Sequence, residues 1–460
     1  MESVEAQLPL PEESILLEYQ PAEQERALWY RGRDQFRRYW QASKPWLKLD
    51  FDEKGEPCIR ARHFVGLMPF TCDGKNHLIM VAPKGCHLDK QLGLMRFLEL
   101  VAIANGGEPI RGAEKISFKS GRNMFFALLA AHYAELLHDL CRRDFRRHFQ
   151  PEEEELRSRV RGRIHIAGHV RNVLNGRENR IPCRWEEFTP DNWDNRILLG
   201  AVRRLERSAA SFAPEAARFV STKFLVLEPW FSSVKEVSIR LTDFNKARLW
   251  RTSRYYRSAL AWARLIIGGL ARPVAGGSAS PLVIDANDAF ERFAKLVTRA
   301  AVNQVGNSTW EVPRGQVDFP FAKPNHKREP DLVIQSGQAT IAVGDAKYKD
   351  ILDLGLTPDE LGDLRNAIVP RISPADWNQL YVYMRLANAS NGFFVVPFWN
   401  PSGNAAELIS EFEFVVSPLD RLDARKVKFA VIGLNLIQSL SRVRSEAVRL
   451  LSQWLEHYQT

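Results

Sequence analysis

A chain of 460 residues has room for about three domains, and 45% hydrophobic with 26% charged residues is an ordinary globular balance. The longest apolar stretch, around Ala259 to Ala271, is broken by Arg264 and is shorter than the roughly 20 residues that cross a bilayer. The acidic start MESVEAQLPLPEES lacks the pattern of a secretory leader. These features predict a cytoplasmic protein without membrane contact.

Five cysteines, at 58, 72, 86, 141 and 183, form no CxxC pair and argue against a disulfide framework. His63, His77 and His87 follow no ligand spacing that would make a zinc site with them. The net charge of +9 points to an acidic partner, nucleic acid above all.

In chain order, residues 1–50 read as an N-terminal arm, either irregular or with a short helix near Ala22 to Gln41. Leu47 to Lys84 gives short strand-like runs, KLDF, CIRARHFVGLMPF and HLIMVAP, separated by turn signals, so 51–150 begins as a small β-rich domain. Helices follow over Leu88 to Ala104 and Met124 to Phe149, where His132 and His138 read as packed or solvated. Residues 151–275 form an Arg-rich, largely helical middle region. Arg157 to Arg207 holds twelve Arg, no Lys and six acids, and these guanidiniums fork onto phosphate, onto a partner's carboxylates or into internal ion pairs. The acidic run Glu152 to Glu155 reads as a helix start, and ARPVAGGSASP, Ala271 to Pro281, as a linker. Beyond it, 281–460 alternates helices and strands in an α/β module, closed by a helix whose stripe is Ile437, Leu440, Val443, Leu450, Leu451, Trp454 and Leu455.

The chemistry is concentrated in KREPDLVIQSGQATIAVGDAKYK, Lys327 to Lys349. Side chains two apart on a strand share a face, so Asp345 and Lys347 project together. If the returning strand brings Asp331 alongside, the two carboxylates suit a hard divalent cation, Mg²⁺ with Mn²⁺ as substitute, and the lysine can offset phosphate charge. An isolated DxK would be no more than a surface hairpin with an ion pair. For Asp331 to share the face, a regular hairpin needs an odd-length loop, and a three-residue loop with Gly337 in the left-handed position fits.

Pro330-Asp331 with Asp345-Ala346-Lys347 resembles the PD-(D/E)xK nuclease motif. In that superfamily a preceding helix contributes an acid, here Glu291 of AFERFAKLV, and a following helix carries QxxxY, here Gln379 and Tyr383. VRGRIHIAGHVRN (160–172), CRWEEFTPDNWDNRIL (183–198), Tyr256 to Gly269, LVIDANDAFERF (282–293) and, upstream, FVGLMPF with HLIMVAPK (64–84) resemble the McrC family over about residues 60 to 400. The resemblance implies a multi-domain α/β chain whose C-terminal domain is a restriction-endonuclease-like PD-(D/E)xK module. It implies the endonuclease subunit of a modification-dependent (type IV) restriction system, cutting double-stranded DNA with modified cytosine alongside a McrB-like hexameric AAA+ GTPase, which its N-terminal region, with 51–150 as the partner-docking domain, docks into and stimulates. Asp331, Asp345 and Glu291 would then hold the metal, with Lys347, Gln379 and Tyr383 completing the catalytic set. The chain has no GxxxxGK[ST] loop and is not the motor. The competing readings are a catalytically silent activator of such a ring and a nuclease of another nucleic-acid system.

Overall fold

The computed structural model describes residues 14–17, 21–22, 47–51, 57–72, 75–105, 116–118, 120–269, 282–306, 309–313, 330–348, 372–416 and 425–457. The expected helix at Ala22 to Gln41 lies, beyond Ala22 itself, outside the described residues, as does the linker Ala271 to Pro281. The chain divides into two compact units, residues 1–128 with 272–460, and residues 129–271.

The first unit opens with β1 (Ser14–Leu17), β2 (Pro21–Ala22), β3 (Leu47–Phe51), β4 (Pro57–Ala61), β5 (Phe64–Cys72) and β6 (Lys75–Ala82). β2, β4 and β3 make a small antiparallel sheet, while β1 joins the β5–β6 hairpin through β6. Asp89 then starts α1 (Lys90–Ala104) by accepting from the Leu92 N–H at 2.7 Å, and the helix buries Leu94, Phe97, Leu98 and Val101. The helix α2 (Gly121–Asp144) carries the boundary into the second unit.

The second unit contains β7 (His148–Arg157), β8 (Arg163–Ile164), α3 (Ile166–Leu174), β9 (Arg180–Thr189), α4 (Trp193–Phe212), α5 (Pro214–Leu225), the one-turn α6 (Glu228–Phe231) and α7 (Arg254–Gly269). The acidic run is therefore strand, not helix start: Glu152 to Glu155 lie in β7, paired antiparallel with β9. Arginines of β9 offset the row of like charges, Arg184 at 3.2 Å from Glu153 and Arg180 at 3.8 Å from Glu155, and cross-strand neutralisation outweighs the helix signal of four glutamates. The β7–β9–β8 sheet adds strands that the largely helical reading of this region did not include, while its remaining elements, α3 to α7, are helices as expected. Arg161, Arg196 and Arg203 are likewise in internal ion pairs, the Arg196 fork meeting Asp191 at 2.6 and 2.7 Å. Residues of CRWEEFTPDNWDNRIL act structurally here. Asn195 donates to the Pro190 carbonyl at 2.7 Å and accepts from the Tyr256 hydroxyl at 2.7 Å, and the Asp194 carboxylate accepts from the Arg248 and Leu249 N–H groups. His132 is a core residue, its ring 4.7 Å from that of Trp262 and its pKa lowered by burial to about 3, while His138 is exposed.

Returning to the first unit, β10 (Leu282–Asp285) pairs with β5, Leu282 opposite Leu67, so the fold joins segments that the sequence assigns to separate domains. The remaining elements are α8 (Ala286–Val305), β11 (Trp310–Glu311), β12 (Leu332–Ser336), β13 (Ala339–Ala346), α9 (Pro374–Leu386), β14 (Asn391–Phe398), β15 (Ala406–Val416), β16 (Arg425–Asn435) and α10 (Leu440–Glu456). Their six-stranded sheet has the order β11-β12-β13-β14-β16-β15, with β13, β14 and β16 parallel. β14, NGFFVVPF, is buried at every position, as a central parallel strand covered on both faces must be. On one face Leu380, Tyr383 and Met384 of α9 pack with Val343, Phe394, Val396, Phe429 and Val431. On the other, Trp454 of α10 meets Phe393 and Phe290 of α8 meets Tyr348. Among the described residues no helix is long and apolar enough to cross a membrane.

Candidate active site

The β12–β13 hairpin fixes the site. Its last pair is Ser336 with Ala339, so the loop has two residues, Gly337 and Gln338, rather than the expected three. Gly337 has φ +59°, the conformation that favours glycine at the first position of a tight hairpin loop. Even pairing is restored by a bulge: Ile334 faces Ala342 and Gln335 faces Thr340, which leaves Ile341 as the extra residue. Asn391 satisfies the bulged residue by donating to its carbonyl at 3.0 Å. Continuing the Leu332–Gly344 register places Asp331 across from Asp345, and the Asp331 carboxylate accepts from the Ala346 N–H at 3.0 Å.

Val343, Asp345 and Lys347 alternate onto the face that α9 covers, and the site is the polar end of that core. Lys347 Nζ is 2.6 Å from Asp345 Oδ2, 3.5 Å from Asp376 Oδ1 and 3.4 Å from Gln379 Oε1. Gln379 in turn donates to the Tyr383 hydroxyl at 2.8 Å, so the buried tyrosine anchors the glutamine that meets the lysine. The strand end is pinned from the short turn that follows β6: buried Lys84 donates to the Tyr348 carbonyl at 3.2 Å, its ammonium 4.7 Å from the Tyr348 ring centre. Beneath Asp345, Gly344 leaves space for the Phe393 ring, which a Cβ would meet at 2.5 Å.

Asp331, Asp345, Lys347, Gln379 and Tyr383 thus form one connected group. Glu291 stands apart. It pairs with Lys295 on its own helix, and its influence on Asp331 is one of charge. Asp376 is the site residue that sequence reasoning missed. Its visible signal is Ser373-Pro374-Ala375-Asp376, a helix start, and the Ser373 side chain does cap α9 through the Asp376 N–H.

Burial first, then the Asp345 and Glu291 charges, push the Asp331 carboxyl up to about 8. Burial opposes the Lys347 charge, yet the Asp345, Asp376 and Asp331 carboxylates lift its pKa above the ordinary value. Asp345 Oδ2 is buried and, although 2.6 Å from the ammonium, accepts no well-aligned hydrogen bond. Two crowded carboxylates and a buried acceptor without an aligned donor fit a divalent cation, which Asp331 and Asp345 would hold. Among the described residues no three His, Cys, Asp or Glu side chains gather into a metal cage. Mg²⁺ does not require one, since it is commonly held by one or two carboxylates, waters and substrate phosphate.

The raised Asp331 pKa has a consequence for stability. Without metal, the folded chain keeps a proton that the unfolded chain releases above its ordinary pKa of 3.8, so stability falls as pH rises from there to about 8. Urea titrations in EDTA should show this decline, and Asp331→Asn should flatten it; an unchanged slope in the variant would assign the titration to another group.

The fold and site define an α/β protein with two acids and a lysine on one face of neighbouring strands of a mixed sheet. The family model of the McrBC 5-methylcytosine restriction system component matches residues 59–397, and the chain belongs to this family. In fold it is similar to the refined half-complex from the tetradecameric assembly of Thermococcus gammatolerans McrB AAA+ hexamers with bound McrC. That match has 19% identity and a TM-score of 0.58 over 96% of this chain and 100% of the other. The cryo-EM structure of the Thermococcus gammatolerans McrBC complex also matches, at 18% identity and a TM-score of 0.42 over 63% of this chain and 88% of the other. A search of the curated proteins gives no match.

Proposed function

We propose that the chain is the Mg²⁺-dependent endodeoxyribonuclease subunit, of PD-(D/E)xK type, of a McrBC-like modification-dependent restriction complex. The observation that carries this reading is the convergence of Asp331, Asp345 and Lys347 on one face, with Gln379 and Tyr383 behind the lysine. A bound Mg²⁺ would polarise the scissile phosphate and supply a water of lowered pKa. Asp331 and Asp345 would hold the cation, and the two strands fix the separation of their carboxylates. Lys347 offers its charge to the phosphate or orients the attacking water, and Gln379, steadied by Tyr383, limits where the ammonium can go. Glu291 adds negative charge that favours the cation without contacting the pair.

The partner in this reading is a McrB-like AAA+ hexamer, whose GTPase the chain stimulates, and the substrate is duplex DNA carrying modified cytosine. An exposed apolar face in the second unit supports a protein partner. Ile166, Val170, Val173 and Leu174 lie on one side of α3, and Ile166 and Leu174 are 73% and 81% exposed. The cation requirement is tested with the partner, GTP and methylated DNA present: EDTA should abolish cleavage and Mg²⁺ or Mn²⁺ should restore it. Undiminished cleavage in EDTA would contradict the proposal.

A further inference from the structure

Lys347 faces a conflict that the proposed metal site creates. Its ammonium rests on Asp345, one of the two carboxylates assigned to the cation, at 2.6 Å. A divalent cation on the same carboxylate repels that ammonium, so Lys347 must give up Asp345 or the cation must compete with it. The lysine is only 16% exposed, and water is a poor refuge for it there.

We infer that Asp376 is the positioning residue that takes over Lys347 when a cation occupies Asp345, an inference that rests on the metal-site reading above. Its Oδ1 lies 3.5 Å from Lys347 Nζ, on the side of α9, and the carboxylate is 7% exposed. Ser373 fixes its orientation, the hydroxyl donating to Asp376 Oδ2 at 2.5 Å, while Oδ1 faces the lysine. Gln379, one turn further along α9, adds an acceptor at 3.4 Å, so the helix presents the ammonium with a second seat of opposite charge. A small swing of the flexible lysine stem moves it from the strand carboxylate to the helix carboxylate, and in that position it remains beside the cation. Asp376 thereby sets how readily the metal enters without touching it.

The test is Mn²⁺ binding to the full chain without DNA, followed by electron paramagnetic resonance. Asp376→Asn leaves Lys347 with Asp345 as its charged partner and should weaken Mn²⁺ binding about tenfold, the low end of what loss of an outer partner costs a metal site. Lys347→Met removes the competitor and should tighten binding. In the Lys347→Met background, adding Asp376→Asn should leave the affinity within about twofold, because the residue acts through the lysine. Should Asp376→Asn fold poorly in EDTA, Ser373→Ala loosens the same carboxylate and should weaken binding in the same direction, again only when Lys347 is present. Equal weakening in both backgrounds, or none in either, overturns the role of Asp376. A wild-type chain that binds no Mn²⁺ overturns the metal site itself.

Discussion

Replacing Asp345 by alanine is expected to lower DNA cleavage at least about a thousandfold, or ~4 kcal/mol of transition-state stabilisation at 1.36 kcal/mol per decade, while the chain folds and binds its partner. Asp331→Ala and Lys347→Ala should lose activity to a similar degree. The reason is chemical rather than structural: in the proposed mechanism Asp345 and Asp331 are the paired carboxylates that would hold the cation, and Lys347 the charge that would face the phosphate. Folding should tolerate the changes. Without Asp345 the lysine still has Asp376 and Gln379 beside it, and loss of Asp331 removes a carboxylate whose burial is itself costly. Glu291→Ala should fall well short of this loss, since Glu291 pairs with Lys295 and acts on Asp331 only through charge. Cleavage of methylated duplex by the assembled complex, with thermal unfolding as the folding control, measures both halves. Activity near wild type in the Asp345 variant would sink the mechanism.

The second large effect concerns the partner. The isolated chain should cut DNA poorly, and the AAA+ partner with GTP should raise the rate by orders of magnitude. A net charge of +9 attracts any duplex, but phosphate contacts carry no sequence information, so the chain alone has affinity without selectivity. Selectivity must then enter through assembly, and the exposed apolar face of α3 offers a surface for it. Ile166→Asp with Leu174→Asp should weaken association with the ring and reduce its GTP hydrolysis, leaving Mn²⁺ binding by the chain unchanged. Rapid cutting of unmodified DNA by the isolated chain would contradict this account. A fragment ending at residue 280 is a poor reagent for such work, because it removes β10 from β5 and splits the first unit.

The site was largely legible because strand periodicity is strict. Asp345 and Lys347, two residues apart, had to share a face, whereas Asp331 could join them only if facing residues summed to an even number, a condition that the sequence poses but does not meet by itself. How the parity is met was not legible: a two-residue loop with a bulge at Ile341 serves as well as a three-residue loop, and both satisfy the same alternation. Asp376 was hidden because a serine followed three residues later by an acid reads as helix capping, which it also is. The strand character of Glu152 to Glu155 depends on arginines some thirty residues later, and the pairing of β10 with β5 joins residues more than two hundred apart. Local patterns carry no trace of such distant partners. Glu291 was placed correctly on the helix before the strands, but which neighbour its carboxylate meets depends on the helix's rotation, set by Phe290 and Phe293 in the core.

The proposed chemistry requires Asp331 and Asp345 to hold a divalent cation together. Crystals of the chain soaked in Mn²⁺ and measured at the manganese edge test it most directly. An anomalous peak is expected within coordination distance of both carboxylates, absent in crystals of Asp345→Ala. A well-occupied manganese elsewhere, with Lys347 still seated on Asp345 and no density between the two acids, would contradict it.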